Sequence, residues 1–238
     1  MKNFKDFLND TLVVLCARGN SKGLKNKNII KINNKPLIYF AINKIKKNNI
    51  IHRCISSDSR SIIKISKKYG IDSFFIRPKK LSGPNVSKLM VWKHALSKSE
   101  QYYKKKFKYF LDIEITNPLT NEKDLDKFLK LFFKIKNKFD GMFCTRKSWK
   151  NPFFNILIKK NKGNFVTASK TNKIILSRQK APKTLDHVAA MYIFNSNYLR
   201  KTKHLLSGNL KEYNLPLLKS IDIDNREDYE IVKKIMKK

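Results

Sequence analysis

A basic, glycine-containing loop near the N-terminus is the stretch of sequence best suited to chemistry. Residues 17–28 read ARGNSKGLKNKN and directly follow the apolar run TLVVLCA of residues 11–17. The glycines let the backbone turn close to a ligand, and successive backbone N–H groups in such a turn bind anions. Four basic side chains would cradle a triphosphate and stabilise charge on its phosphorus: Arg18, Lys22, Lys25 and Lys27. The spacing differs from a Walker A loop, and the alternative is a basic surface loop in a lysine-rich chain.

Two aspartates near the C-terminus form the second candidate feature. Asp222 and Asp224 alternate with Ile221 and Ile223, so an extended backbone would put both carboxylates on one face. Carboxylate oxygens are ligands that Mg²⁺ prefers, although solvated carboxylates at a strand end are the alternative. A loop that holds a nucleotide and aspartates that hold Mg²⁺ together indicate nucleotidyl transfer.

Strands alternate with helices along most of the chain. The predicted strands are residues 11–17, 53–56, 72–77 and 107–115, and the predicted helices begin near residues 36, 61, 88 and 124. This order predicts an α/β fold with a doubly wound, mostly parallel, Rossmann-like sheet. Residues 142–192 break the pattern and are expected to leave the sheet, whereas residues 220–237 return with a short strand, IDID, and a closing helix. Ligands of such sheets bind at the carboxyl ends of the strands, so the loops after residues 17, 56 and 115 should carry the site.

The length allows one substantial α/β domain or two small ones, and we expect a single domain over residues 1–238 because no linker rich in Pro, Gly or Ser divides the chain. Hydrophobic residues make up 41%, so a real core can be buried. No apolar run approaches the roughly 18 residues that span a bilayer, so no membrane partner is expected. Asp6 and Asp10 stand where a signal peptide would be basic. The three cysteines are far apart in the sequence, which argues against a disulfide framework or a metal cluster. These features predict a cytoplasmic protein.

The formal net charge of +35 raises the alternative of a nucleic-acid-binding protein. Arginine, the residue favoured for bidentate recognition of phosphate and bases, is nevertheless scarce. The lysines are spread over the whole chain rather than clustered. We therefore expect no specific nucleic-acid partner, although the charge would help to attract anionic small substrates.

Six stretches in chain order resemble one family. The loop ARGNSKGLKNKN is similar to the ARGGSKGLxxKN signature of the CMP-sialic acid synthetases, the cytidylyltransferases that activate N-acylneuraminic and legionaminic acids. The later stretches similar to that family are SSDSRSI, RPKKLSGPNVSKLMVWKHAL, DIEITNPLT, SRQKAPKTLDHVAAMYIF and IDIDNREDYEIV. The resemblance covers about 210 residues. It implies a CTP-dependent enzyme that forms a CMP-activated nonulosonic acid and pyrophosphate, with Mg²⁺ as cofactor.

The resemblance also implies a role for individual residues. The nucleotide would be held by Arg18, Gly19, Ser21, Lys27, Asn28, Arg77 and Ser87. The sugar would be held by Glu114, Arg178, Gln179 and Tyr192. The catalytic set would be Arg18, Lys27, Asp222 and Asp224, with the two aspartates as metal ligands. The segment at about residues 142–192 would mediate homodimerisation.

Three positions depart from the family pattern. Asn20 follows Gly19 where the family has a second glycine, Thr120 replaces an arginine, and Val188 replaces an asparagine. The last two are expected on or near the sugar side, so they bear on the identity of the sugar. Kdo and pseudaminic acid are the alternatives, and a family member without activity is a third possibility.

Overall fold

A central sheet of six strands organises the chain. The computed structural model describes residues 3–20, 23–170 and 175–237. In chain order the strands are β1 (Thr11–Cys16), β2 (Lys31–Ile32), β3 (Lys35–Pro36), β4 (Arg53–Ser56), β5 (Tyr109–Ile113), β6 (Gly141–Lys147), β7 (Leu157–Lys159), β8 (Phe165–Thr167), β9 (Leu185–Asn195) and β10 (Leu210–Asn214). The central sheet has the order β10-β6-β9-β5-β1-β4, while β2 pairs with β3 and β7 pairs with β8.

The central sheet is mostly parallel, as the sequence predicted. The strand β1 pairs in parallel with β4 and β5, and β10 pairs in parallel with β6. The strand β9 lies antiparallel between β5 and β6. The carboxyl ends of β1, β4, β5, β6 and β10 consequently point to the same edge of the sheet.

Helices cover both faces of the sheet. In chain order they are α1 (Phe4–Asn9), α2 (Leu37–Lys47), α3 (Arg60–Lys68), α4 (Lys88–Tyr103), α5 (Glu122–Ile135), α6 (Ser196–Lys201) and α7 (Arg226–Met236). Val13 and Leu15 of β1 face the core that contains α2, α3, α5 and α7. Leu12 and Val14 alternate with them and face a second core that contains α4 and α6. Burial on both faces explains why β1 is a continuous apolar run. Within the described residues, none of these helices is long and apolar enough to cross a bilayer.

Two predicted strands are absent. Residues 72–77 form one backbone hydrogen bond to β4, from Ile55 N to Asp72 O, and one to the residue after it, from Arg77 N to Ser57 O. Between them the Ser73 side chain donates to the Phe75 carbonyl, so local bonds bend the segment. Residues 221–224 are also not a strand, because their one backbone bond to the loop after β5, from Ile223 N to Thr116 O, does not extend into a ladder.

The segment that leaves the central sheet is shorter than the expected residues 142–192. The strands β6 and β9 at its two ends belong to the sheet, and β6 is covered by β10 on its other side. Of the described residues between these two strands, 148–170 and 175–184 lie outside the central sheet, and the β7–β8 hairpin is among them. Strand β9 departs from the parallel pattern, which is why the sequence pattern breaks there.

A buried lysine holds the loop after β5. Lys44 of α2 is 2% exposed, and its Nζ donates to the Asn117 carbonyl at 3.1 Å and to Thr120 Oγ1 at 2.7 Å. Burial lowers the pKa of Lys44 to about 8, against an opposing effect of the Asp124 carboxylate. Burial of the ammonium is unfavourable because it removes a charge from water, but its hydrogen bonds hold residues 116–120 in place.

The lowered pKa predicts a pH-dependent stability. The unfolded chain keeps Lys44 protonated up to its ordinary pKa of 10.5, whereas the folded chain loses the proton near pH 8. The contribution of Lys44 to the free energy of unfolding should therefore rise as the pH increases from 8 towards 10.5, by about 1 kcal/mol per pH unit. The free energy of unfolding should be measured by denaturant for the wild type and for Lys44→Met at several pH values. As the pH increases, the wild-type value should rise relative to that of the variant. A matched Lys46→Met variant, on the exposed side of α2, controls for the loss of one charge. If the difference in unfolding free energy between the wild type and Lys44→Met does not change with pH, the prediction is contradicted.

Candidate active site

A cleft of about 520 Å³ opens at the carboxyl ends of β1 and β5. Three separate parts of the chain form most of its walls: the basic loop, the segment before α4 and the C-terminal tail. Its lining residues are Cys16, Arg18, Gly23, Lys27, Asn28, Arg77, Leu81, Ser82, Gly83, Val86, Lys88, Val91, Glu114, Thr116, Ala189, Asp222 and Asp224. The cleft lies at the edge of the sheet where the strand pattern predicted the chemistry.

The basic loop presents charge to the cleft from a braced backbone. The Asn28 side chain donates to the Arg18 carbonyl at 3.0 Å, which ties the two ends of the loop together. The Gly19 N–H donates to Asp58 Oδ1 at 2.8 Å, so this backbone donor already has a carboxylate acceptor. Ser21, predicted to hold the nucleotide, and Lys22 lie outside the described residues. The described part of the loop brings one arginine and Lys27 into a single concave site.

Gly23 is the point at which the loop touches the C-terminal tail. A Cβ atom on Gly23 would lie 2.3 Å from the Asp224 carbonyl oxygen, far inside a van der Waals contact. Lys27 Nζ and Asp224 Oδ1 are 2.9 Å apart and form an ion pair. Glycine is therefore required here for close approach of two backbones.

The two aspartates share the cleft although they are not in a strand. Asp224 is exposed, whereas Asp222 is largely buried and lies beside the Thr116 side chain. Burial raises the pKa of Asp222, and the nearby Asp224 carboxylate raises it further. Asp222 Oδ1 is buried and has no hydrogen-bond partner among the described residues. This oxygen is an acceptor that a ligand could satisfy.

The aspartate pair fits a magnesium ion held jointly with a nucleotide. Within residues 3–20, 23–170 and 175–237, no group of three or more His, Cys, Asp or Glu side chains could hold a metal by itself. Mg²⁺ commonly takes one or two carboxylates and completes its shell with water and substrate phosphates. Two hard oxygen donors beside a basic loop match that arrangement.

The predicted nucleotide residues outside the loop have different environments. Arg77 lines the cleft but is only 5% exposed, and its guanidinium is held by the Ser56 hydroxyl at 3.1 Å and by the Ser56 carbonyl. The Ser87 hydroxyl accepts from the Leu89 N–H and caps α4. Its neighbours Val86 and Lys88 are the residues that line the cleft. Arg77 is therefore a rigid donor at the cleft, and Ser87 acts in the fold as a helix cap.

The predicted sugar residues divide between two depressions. Glu114 lines the cleft, and Tyr192 lies buried behind it. Arg178 and Gln179 line a second depression of about 770 Å³, which also includes the last residues of β6 and β10. Arg178 donates to the Ser148 carbonyl at 3.0 Å. It does not pair with Asp186, because Asp186 is bonded to Arg146 at 2.8 Å.

The sequence reasoning missed Lys88, which lines the cleft, and Asp112, which is buried behind it. Asp112 is completely buried at the end of β5, two residues before Glu114, and Lys88 at the start of α4 pairs with it at 2.8 Å. The two-residue spacing could have identified Asp112, because it places that carboxylate on the face of Glu114. Lys88 offered no signal in a chain so rich in lysine.

Cys16 also lines the cleft, and the three cysteines are free. Burial, together with the nearby Asp112 carboxylate, raises the pKa of the Cys16 thiol. The thiol therefore stays protonated and is a poor nucleophile.

Two of the departures from the family pattern lie in the interior. Thr120 is 2% exposed and bonded to Lys44, and Val188 is 4% exposed in the larger core. Their neighbours Thr116 and Ala189 are the residues that reach the cleft. The altered side chains therefore act on the packing behind the cleft rather than on its surface.

A basic glycine-containing loop and two aspartates that share one cleft of an α/β sheet are the arrangement expected for nucleotidyl transfer. Among solved structures, the chain is similar to CMP:2-keto-3-deoxy-manno-octonic acid synthetase complexed with CTP, with a TM-score of 0.67 and 13% identity over 95% of this chain and 98% of that one. At this identity the likeness concerns the fold. The chain belongs to the cytidylyltransferase family, whose model, described as Cytidylyltransferase, matches residues 12–237.

Two curated relatives align along almost their whole length. The CMP-N,N'-diacetyllegionaminic acid synthase of Campylobacter jejuni is 32% identical over 231 residues, which cover 94% of this chain and 93% of that protein. The post-translational flagellin modification protein B of Campylobacter coli is 32% identical over 238 residues, which cover 97% and 96%. The family resemblance inferred from the motifs is thereby confirmed.

The contact at Gly23 leads to a prediction. A Gly23→Ala methyl group would push the basic loop away from Asp224, so CTP turnover should fall by about tenfold to a hundredfold. Pyrophosphate release and melting temperature should be measured for this variant and for the wild type. Full turnover of Gly23→Ala would mean that the loop and the tail need not touch.

Proposed function

We propose that the protein transfers CMP from CTP to an acidic sugar of the N-acylneuraminic or legionaminic type and releases pyrophosphate. The observation that carries this proposal is the meeting of the basic loop and the aspartate pair in one cleft of a cytidylyltransferase-family chain. The similarity to a CMP-N,N'-diacetyllegionaminic acid synthase supports the choice of sugar class. Kdo and pseudaminic acid are the alternatives within the same chemistry.

The chemistry follows from positioning and neutralisation of charge. The anomeric hydroxyl oxygen of the sugar attacks the α-phosphorus of CTP, and the bond from that phosphorus to the bridging oxygen breaks to release pyrophosphate. Arg18, Lys27 and Asn28 bind the phosphates, and Lys27 neutralises the α-phosphate under attack. The hydroxyl proton passes to water or to a carboxylate of the aspartate pair. No covalent intermediate with the enzyme is required.

Mg²⁺ is the proposed cofactor, with Asp222 and Asp224 as its protein ligands. When bound there, the ion would neutralise phosphate charge and polarise the phosphorus centre. Asp222 lines the cleft, and its buried Oδ1 has no hydrogen-bond partner among the described residues, which supports this role.

The sugar is proposed to lie between Glu114 and the second depression. Both depressions open at the same edge of the sheet, since one is built at the ends of β1 and β5 and the other at the ends of β6 and β10. In the second, the planar guanidinium of Arg178 is suited to two-point binding of a carboxylate, and Gln179 adds amide donors. Tyr192 supports Lys88 and the cleft wall from behind.

We further propose a homodimer formed through residues 148–184. The described part of this segment exposes large apolar side chains, among them Trp149 at 62%, Leu157 at 58% and Phe165 at 61%. A surface of this kind is typical of a protein–protein contact.

The cytoplasm is the proposed location because CTP is a cytoplasmic metabolite. The lack of a specific nucleic-acid partner stays a prediction.

An assay with purified protein tests the proposed activity. Pyrophosphate release should require CTP in preference to ATP, GTP or UTP, together with a nonulosonic acid and a divalent metal. Comparison of N-acetylneuraminic, N,N'-diacetyllegionaminic and pseudaminic acids with Kdo identifies the sugar. Equal turnover of the four nucleotides, or full activity in excess chelator, would contradict the assignment.

Removal of either aspartate charge tests the metal site. Asp222→Asn and Asp224→Asn should each lower kcat by about a hundredfold or more, because the protein then offers one carboxylate fewer to the metal. Raising the Mg²⁺ concentration should recover part of the loss. Asp126→Asn on the exposed side of α5 makes the same change of charge as a control. Near-normal activity of both variants at limiting Mg²⁺ would show that the tail is structural.

A further inference from the structure

Lys88 occupies a position in the cleft to which the proposed mechanism gives no role. Its Nζ lies 2.8 Å from Asp112 Oδ2 and also forms an ion pair with Glu114. The same ammonium lies over the rings of Trp92, at 5.2 Å, and Tyr192, at 4.9 Å. One lysine thus links two carboxylates and two aromatic rings at the wall of the candidate active site.

The position of Lys88 in its helix does not favour a cation. It is the first residue of α4, where the helix dipole stabilises negative rather than positive charge. The side chain is 33% exposed, unlike the solvated lysines of the exposed helix faces. Neither helix stability nor the lysine-rich composition therefore explains why a lysine stands at position 88. Its contacts with the two carboxylates do.

Asp112 explains one part of this arrangement. Its side chain has no exposed surface, and a buried carboxylate without a compensating charge is strongly destabilising. Lys88 supplies that charge from the cleft side. This contact makes Lys88 part of the fold, so a test of any other role has to separate it from Asp112.

Glu114 explains the other part. It lies two residues beyond Asp112 on the same face of the extended chain and lines the cleft, with its side chain 16% exposed. A carboxylate can accept hydrogen bonds from hydroxyl or amide N–H groups, but it repels the carboxylate of an acidic sugar. The Lys88 ammonium cancels that repulsion and restricts the orientation of Glu114.

We propose that Lys88 is a positioning residue for the sugar, which fixes Glu114 to accept hydrogen bonds from the sugar's hydroxyl or N-acyl amide groups. This inference rests on the proposed function. It makes the Lys88–Glu114 pair a determinant of sugar recognition, while the nucleotide is bound by the basic loop on the other side of the cleft.

The variant Lys88→Met combined with Asp112→Asn separates this role from folding. The pair removes one positive and one negative charge, so the net charge that attracts CTP is unchanged, and no buried carboxylate is left alone. The methionine keeps an apolar side chain against Trp92 and Tyr192. Lys98→Met on the exposed face of the same helix controls for the loss of a lysine.

Steady-state kinetics should be measured with N-acetylneuraminic and N,N'-diacetyllegionaminic acids, together with melting temperatures. The double variant should melt near the wild type and raise the sugar KM by about tenfold or more, as expected for the loss of a charge-assisted contact. The CTP KM should change by less than about twofold, since the phosphate ligands are untouched. Adding Glu114→Gln should recover part of the sugar KM, because it removes the uncancelled charge and keeps an acceptor oxygen.

Each contrary result has its own meaning. An unchanged sugar KM in the double variant would show that Lys88 only stabilises Asp112, and a rise confined to the CTP KM would assign Lys88 to the nucleotide; either result overturns the inference. A wild type that turns over CTP with neither sugar nor any other nonulosonic acid would contradict the proposed function itself, and the inference with it.

Discussion

The contact between Gly23 and Asp224 is the constraint on which the candidate active site depends. The Asp224 carbonyl oxygen lies so close to Gly23 that there is no room for a Cβ atom there. The Lys27–Asp224 ion pair joins the same two segments. Two regions about 200 residues apart in sequence are thereby held against each other. Without this approach the basic loop and the aspartates would be separate surface features, because each contributes only part of the lining of the cleft.

Other contacts hold this junction in register with the sheet. Ile223 donates its N–H to the Thr116 carbonyl, and the Asn117 side chain donates to the carbonyls of Lys219 and Ile221. The buried Lys44 in turn donates hydrogen bonds to two residues of the loop after β5. The tail therefore docks on the loop after β5 through a series of hydrogen bonds rather than through strand pairing, and a buried lysine stabilises that loop.

Charge is distributed unevenly around the cleft. The side formed by the basic loop is basic and partly open, whereas the side at β5 contains buried or half-buried acids, of which Asp112 and Glu114 share the Lys88 ammonium. The Lys88 ammonium therefore offsets the negative charge of Asp112 and Glu114 at the wall of the cleft. The overall charge of +35 does not reveal this arrangement, because it sums mostly solvated lysines.

The sequence by itself determined the α/β class, the position of β1 and the glycine loop, and the family, since apolar runs and local motifs depend on neighbouring residues. Tertiary structure decided the rest. The segments predicted as strands at residues 72–77 and 221–224 lack ladders, because their bonds go to loops and to local side chains. Strand β9 inserts antiparallel into the sheet, and the Lys88–Asp112 pair joins α4 to β5. Such long-range pairings depend on how the elements pack, and no local pattern encodes them.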